Sequence, residues 1–452
     1  MTVENYNVPG VSSGPTKVAE ETVEYPEISK PLLLLFCGYV VIWYLQIGYR
    51  IPVLGDIRFE FIYAALLTVS AFFSTPKIRT DAPLFPYLIM FFIVITIQVP
   101  FSYDFDTSWD IFFDRVVKFA FMSFFIIAFV RSPTHLKFFL GAFLLACLKM
   151  GQEGFTGLIT GSLVWENQGI MRLHGPTPLY LHPNSFSGMA MGTLPFVYYL
   201  WPLANKKAKV ILFIIGIFST TIVLYSGSRT AYVGAVAFLL FIFVASRKKV
   251  KFLTRLVVLI LLVLPLIPPE YIGRFDSIFT QKDKEGHSTE ARVEILKDAV
   301  QIFQEHPFGV GVSAFPKVRM DTFGRSPDTH NLYLEVATNL GIQGFVVFCI
   351  YIYKLLSTLR NIRSSAHNIL WRATGIDDQR NNAIINDLKF IEAIALATSS
   401  FVVIRLALGL FGMDLYEIYW WFTLGITLSL FSIMKNIQSV LKNNGGLDNG
   451  SK

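Results

Sequence analysis

Charge is what this chain has least of. Only 16% of its 452 residues are Asp, Glu, Lys or Arg, against about 25% in soluble domains. The deficit is concentrated in long apolar runs such as LLLLFCGYVVIWYLQIGY and VILFIIGIFSTTIVLY, each near the ~20 residues that cross a bilayer. A water-soluble globule is thereby excluded. Cysteine is equally scarce. Cys37, Cys147 and Cys349 all fall in apolar stretches, so they form neither a disulfide framework nor clustered metal-ligand spacing. No glycine-rich nucleotide-binding loop is evident, and the first 29 residues lack the basic start and cleavage site of a signal peptide.

What the chain has instead is 53% hydrophobic and 15% aromatic residues, with mean hydropathy +0.51. Hydropathy predicts an all-α polytopic membrane protein with about twelve spans, at roughly 31–49, 57–75, 84–100, 111–130, 135–150, 181–201, 209–226, 230–246, 251–268, 330–356, 388–411 and 415–436. The fifth has room to run on through GQEGFTGLITG as a broken or re-entrant piece. A cytoplasmic tail is expected over 1–29, a transmembrane unit over 30–440 and a second cytoplasmic tail over 441–452.

Orientation follows from the basic residues. With the N-terminus inside, the inner connections hold Lys77, Arg79, Arg131, Lys137, NKKAK (205–209), SRKKVK (246–251), Arg360, Arg363, Arg372 and Arg380. The short outer connections are poor in Lys and Arg, as the positive-inside rule requires. Cytoplasmic anchoring thus accounts for the net charge of +7 without a nucleic-acid partner. Two outer loops exceed connector length, at about 151–180 and 269–329. The second contains STEARVEILKDAVQIFQEHP, with Val293, Leu296, Val300 and Phe303 at helical spacing, so an amphipathic helix lying on the outer membrane face is expected there. The inner loop at about 357–387 reads as polar, basic and structural.

Unusual polar residues gather at the outer ends of spans. MRLHGPTPLYLHPNSFSGM brings Arg172, His174, His182 and Asn184 to the sixth span, and YSGSRTAYVG turns tightly and places Arg229 at the eighth. Arg292 opens the loop helix, His330 and Asn331 open the tenth span just after Asp328, and Arg405 lies inside the eleventh. Each has a plain structural reading. Arg172 can snorkel to headgroups, Arg115 can pair with Asp114 or Glu60, and His182 can be a structural hydrogen-bonding residue. Arg405 has no partner within FVVIRLALGLF, and intramembrane charge points to function. Together the arginines suit a diphosphate and a histidine suits deprotonation of a hydroxyl. That pairing fits glycosyl transfer from a polyprenyl diphosphate sugar.

At these residues the chain resembles the O-antigen ligase and polymerase superfamily of bacterial glycan-assembly enzymes. MRLHGPTPLYLHPNSFSGM resembles its R-x-x-G…P-N element, SGSRTAYVG its Ser-Arg element, ARVEILKDAVQIFQEHPFGVGVSAF its loop segment, and THNLYLEVATNLGIQGFVVF its His-Asn span start, in that order over 171–345. The resemblance implies a GT-C-like helical fold in the bacterial inner membrane. It also implies a site facing the periplasm and an inverting transfer needing neither metal nor cofactor. The implied partners are undecaprenyl-diphosphate-linked glycan, membrane lipids, and an acceptor glycan or lipid A-core. Carried over by position, Arg229 and Arg292 become diphosphate ligands and His330 the base or acceptor-positioning residue. Arg172 and Arg405 are further diphosphate candidates, supported by Asn331, Asp328, Asn184 and His182. Ile295 and Leu296 stand where the family commonly has an aromatic residue. Asp328 is the expected orienter of His330, and GIQG (341–344) is expected to allow close helix packing. A flippase of lipid-linked sugars and a non-catalytic assembly subunit are the competing readings.

Overall fold

The glycines of GQEGFTGLITG do not break the fifth apolar segment. In the computed structural model, which describes residues 23–74, 79, 81–167, 169–246, 248–267, 269–273, 288–373 and 379–443, that segment lies within a continuous helix, Pro133–Thr160. Three of its four glycines mark a close approach. A Cβ on Gly151 would stand 2.8 Å from Phe218, on Gly154 2.8 Å from Phe186, and on Gly157 2.6 Å from Leu163. Pro133 starts the helix behind the Ser132 cap, and Gly161 ends it at φ +75°, the left-handed conformation in which glycine stops a helix.

The main helices in chain order are α1 Lys30–Leu45, α2 Phe59–Ser74, α3 Phe85–Gln98, α4 Phe105–Ile111, α5 Lys118–Phe129 and α6 Pro133–Thr160, with the short turns Ile47–Arg50 and Pro52–Asp56 between the first two. A π-helical turn, Phe112–Val117, joins α4 to α5. An antiparallel hairpin of β1 Val164–Asn167 and β2 Ile170–Leu173 follows, pairing Trp165 with Arg172. Then come α7 Pro183–Leu200, α8 Lys206–Tyr225, α9 Arg229–Ala245, α10 Lys249–Val263, α11 Ser288–Glu305, α12 Phe315–Phe323, α13 Leu332–Ala373, α14 Gln379–Leu408 and α15 Ile418–Asn443. The all-α expectation holds apart from the hairpin, whose four-residue strands are too short to show an alternating pattern in the sequence.

Among the described residues, five helices are long and apolar enough to cross a membrane: α6, α8, and the main parts of α13, α14 and α15. Four shorter apolar helices, in α1, α2, α3 and α9, accompany them. The expected basic inner loop at 357–387 is largely helix, because α13 runs 42 residues and α14 begins at Gln379. Beyond its break at Gly341, the 32 residues 342–373 span roughly 48 Å at 1.5 Å per residue, more than the hydrocarbon thickness. Most of the expected tails, and residues 274–287 of the outer loop, lie outside the described residues.

Aromatic rings knit the bundle. Phe422 of α15 meets Phe143 of α6 at 4.9 Å between centroids, Phe139 at 5.7 Å and Phe401 of α14 at 5.9 Å. Lipid is as apolar as these rings, so close packing rather than water exclusion carries such contacts. The outer loop has its own small core of Ala299, Ile302, Val310, Ala314, Phe315 and Val318. Helix α11 therefore packs inward through Ile295, Ala299 and Ile302, while Val293, Leu296 and Val300 remain exposed.

The junction between this loop and α13 is built from glycine. Gly341 interrupts α13 at φ +69°, ψ −172°, a region open essentially to glycine. The segment 307–311 runs beside the break. Val310 N donates to Thr338 O at 2.9 Å, Gly311 N to Asn339 O at 3.0 Å, and Ile342 N to Pro307 O at 2.9 Å. Gln98 and Gln343 both donate to the Phe308 carbonyl, at 2.6 and 2.8 Å. The GIQG glycine thus admits a loop backbone against a broken helix, not a neighbouring helix as the sequence pattern suggested.

Candidate functional site

His330 occupies a strained position. Its φ is +47°, uncommon for a residue with a side chain and enriched at functional sites. It is exposed, and its neighbours hold it there. Asn331 caps α13, its Oδ1 accepting from Tyr333 N at 3.0 Å and Leu334 N at 3.1 Å. The same amide donates from Nδ2 to Leu410 O at 3.1 Å, and Leu332 N donates to Gly409 O at 2.7 Å. Tyr333 donates through its hydroxyl to Leu406 O at 2.9 Å. The His330 turn is therefore bolted to the end of α14, the helix that carries Arg405.

On the other side of His330, Asp328 accepts from Thr329 N at 2.6 Å. Burial pushes its carboxyl above the ordinary range, while the Thr329 N–H and the charge of His330 pull it back. Asp328 thus lies near enough to His330 for the charge of one to act on the other. Glu335 is buried, and its carboxyl group accepts from Leu415 N at 3.2 Å.

Arg229 is the first residue of α9. Ser228 caps that helix, accepting from Ala231 N at 3.3 Å, and Gly227 supplies the positive φ of +56° that the turn needs. The turn is gripped from the hairpin. Arg172 is 1% exposed, and donates from Nε to Ser226 O at 2.7 Å and from Nη2 to Asn184 Oδ1 at 2.8 Å. At least two of its nitrogens thus hold protein acceptors. Arg172 neither snorkels outward nor presents a free fork to a ligand; it positions the Arg229 turn against α7. Asn184 is in the same way a partner of Arg172.

Arg405 is 3% exposed and has partners that the local sequence hid. It donates from Nη2 to Gly188 O of α7 at 2.7 Å, stacks 3.2 Å above the Tyr419 ring, and faces Asp414 at 3.8 Å. Burial raises the Asp414 carboxyl and Arg405 lowers it again. Its Nε finds no hydrogen-bond acceptor among the described residues. Arg115 pairs with Glu417, neither Asp114 nor Glu60 as its own sequence neighbourhood suggested. Asp114 pairs instead with Lys118 one turn on.

His182 caps α7, its Nδ1 accepting from Asn184 N at 3.1 Å. It is close enough to Arg172 and His330 for their charges to act on it. Arg172, Asn184, His182, Arg405 and the turns of Arg229 and His330 are therefore linked, through α7 and the end of α14, into one framework. Arg292 lies on α11, but its side chain lies outside the described residues. Its helix is nonetheless tied to the His330 approach by Arg319, which sequence reasoning missed. Arg319 is buried. It donates from Nε to Asp298 of α11 at 2.8 Å and from Nη1 to Pro327 O at 2.9 Å. Among the described residues no group of three or more His, Cys, Asp or Glu is placed to hold a metal ion.

Residues 190–349 match the family model described as O-antigen ligase. The match includes Arg229, Arg292 and His330, and supports the likeness to the O-antigen ligase and polymerase superfamily. Arg172, His182, Asn184 and Arg405 fall outside it. No curated protein matches the chain.

Proposed function

We propose that this chain, which carries an O-antigen ligase domain over residues 190–349, moves a glycan from polyprenyl (undecaprenyl) diphosphate to an acceptor hydroxyl, polymerising or ligating O-antigen or exopolysaccharide. The family implies a membrane-bound glycosyl-transfer enzyme in general terms. The finer reading rests on one observation: a strained, exposed histidine and an arginine-bearing turn share a framework built from α7, α9, α13 and α14.

The chemistry follows from those groups. His330 removes the acceptor hydroxyl proton as the oxygen attacks the anomeric carbon from the face opposite the diphosphate. The new C–O bond forms, the bond to the diphosphate oxygen breaks, and that oxygen leaves with the electron pair. Arg229 and Arg292 stabilise the charge growing there, an electrostatic contribution greatest in the transition state. The reaction inverts the anomeric centre and needs no metal. Acceptors of this class are a glycan or lipid A-core. The flippase reading is not favoured by the family.

Arginine's planar fork binds phosphate oxygens in pairs, whereas lysine is a point charge. Arg229→Lys and Arg292→Lys should therefore weaken donor binding roughly 10-fold or more at normal expression, measured with purified protein and a lipid-diphosphate glycan. Full activity in both variants would remove paired diphosphate recognition from these positions.

The proposal also fixes sidedness. Single cysteines at Ser288 and Ser326 should react with an impermeant reagent from outside intact spheroplasts, and cysteines at Ser246 and Ser364 should not. The reverse pattern would put the site on the cytoplasmic side.

A further inference from the structure

The cap of α7 is an uncommon one. Asn, Asp, Ser, Thr and Gly dominate that position, yet here a histidine ring does the work through Nδ1 alone, accepting from Asn184 N at 3.1 Å. An Nδ1 that accepts cannot carry a proton, so the neutral ring must bear its hydrogen on Nε2. Among the described residues that nitrogen has no hydrogen-bond partner, and the side chain is exposed. A second proton would break the cap and add charge beside Arg172 and within reach of His330. The hydrogen bond thus fixes both the tautomer and the neutral state, leaving Nε2–H as the ring's one donor.

Its surroundings indicate what that donor meets. Two residues on, Asn184 accepts from the arginine that grips the Arg229 turn, and one turn deeper Gly188 accepts from Arg405. The charges that act on His182 are those of Arg172 and His330, both of them cationic when protonated. An oxygen anion is the chemical class that such a setting takes.

We propose that His182 is a neutral hydrogen-bond donor, through Nε2–H, to a phosphate oxygen of the lipid diphosphate, separate in role from His330. This rests on the glycosyl-transfer reading. His182 leaves the proton of the acceptor alone; it holds the diphosphate while His330 acts.

The isosteric pair His182→Asn and His182→Asp tests this, because both residues cap helices well and differ in what else they offer. Aspartate suits a helix N-terminus electrostatically, so a capping role alone makes the Asp variant at least as stable and active as the Asn variant. A diphosphate contact reverses that order. The Asn variant should bind undecaprenyl diphosphate more tightly than the Asp variant by roughly 10- to 100-fold, the range of one hydrogen bond to a charged group. Both variants should melt within a few degrees of the parent protein. Equal binding by the two, or tighter binding by Asp, overturns the proposal and leaves His182 a cap. The parent protein is the control for the underlying reading: failure of parent and variants alike to bind undecaprenyl diphosphate rejects lipid-diphosphate transfer itself, and this contact with it.

Discussion

Alanine in place of His330 is expected to lower glycan transfer roughly 10²–10⁴-fold, the range for loss of a general acid–base group, while donor binding persists. The arginines that hold the diphosphate are untouched, and an exposed side chain contributes little to packing. His330 also permits a sharper test, because of its backbone. A φ of +47° costs any residue with a Cβ roughly 1–2 kcal/mol, and glycine escapes that cost. His330→Gly should therefore be as inactive as His330→Ala, yet melt higher than it. Glutamine keeps a hydrogen-bonding side chain without the basicity, so His330→Gln divides positioning from proton transfer. Turnover, donor binding and melting temperature on the same purified variants supply the answer. Near-normal turnover of the alanine variant would remove His330 from the chemistry. Full turnover of the glutamine variant alone would make it an acceptor-positioning residue. Activity should also survive a chelator, and loss restored by Mg²⁺ or Mn²⁺ would contradict the metal-independent scheme.

Gly341→Ala should cost the fold on the order of 3 kcal/mol or more, at the upper end for single substitutions. Two causes add. The backbone lies in a region open essentially to glycine, and a Cβ there would overlap the Phe308 carbonyl and stand 2.6 Å from Gly309 N. Those are main-chain atoms, fixed by the 307–311 pairing with α13, so they cannot swing aside as a side-chain end can. The loop should lift from the helix, and proteolysis within 288–329 should accelerate in detergent before the bundle itself melts. Gly141→Ala is the control. Nothing lies within 4 Å of its added carbon, so its melting temperature should hardly move. Equal behaviour of the two variants would show that the junction tolerates rearrangement.

Some of this architecture is legible in the residues and some is not, and the division has a physical origin. Apolar length and basic asymmetry announce helices and sidedness, since both reflect one residue type at a time. The stop of α11 at Glu305, just ahead of Pro307, was readable from that breaker. So was the tight turn at Arg229, because Gly227 and Ser228 each have a local reason to be there. What stayed hidden depends on partners far away in sequence. Arg405 reads as an isolated charge in FVVIRLALGLF, yet its acceptor is Gly188, a carbonyl no side-chain pattern reveals. Arg115 sits beside Asp114 but pairs with Glu417. Arg172 resembles a ligand-binding arginine until Ser226 O and Asn184 are seen to occupy it. Glycines misled in both directions: those at 151, 154 and 157 lie inside a helix, and Gly341 breaks one. A glycine states only that a side chain is unwelcome, and the reason lies in whichever chain passes nearby.

Most anchors of the site end on main-chain oxygen: Gly188, Ser226, Pro327, Leu406, Gly409 and Leu410. This creates an asymmetry for anyone scanning the protein with alanine. Substituting Pro327, Leu406 or Leu410 leaves the oxygen where it was, so these positions can look dispensable. Removing Arg172, Arg319, Tyr333 or Asn331 deletes the donor and exposes the connection. A mutational map would then show scattered sensitive residues with silent partners, and only main-chain substitution, amide to ester, would reveal the other half of each bond.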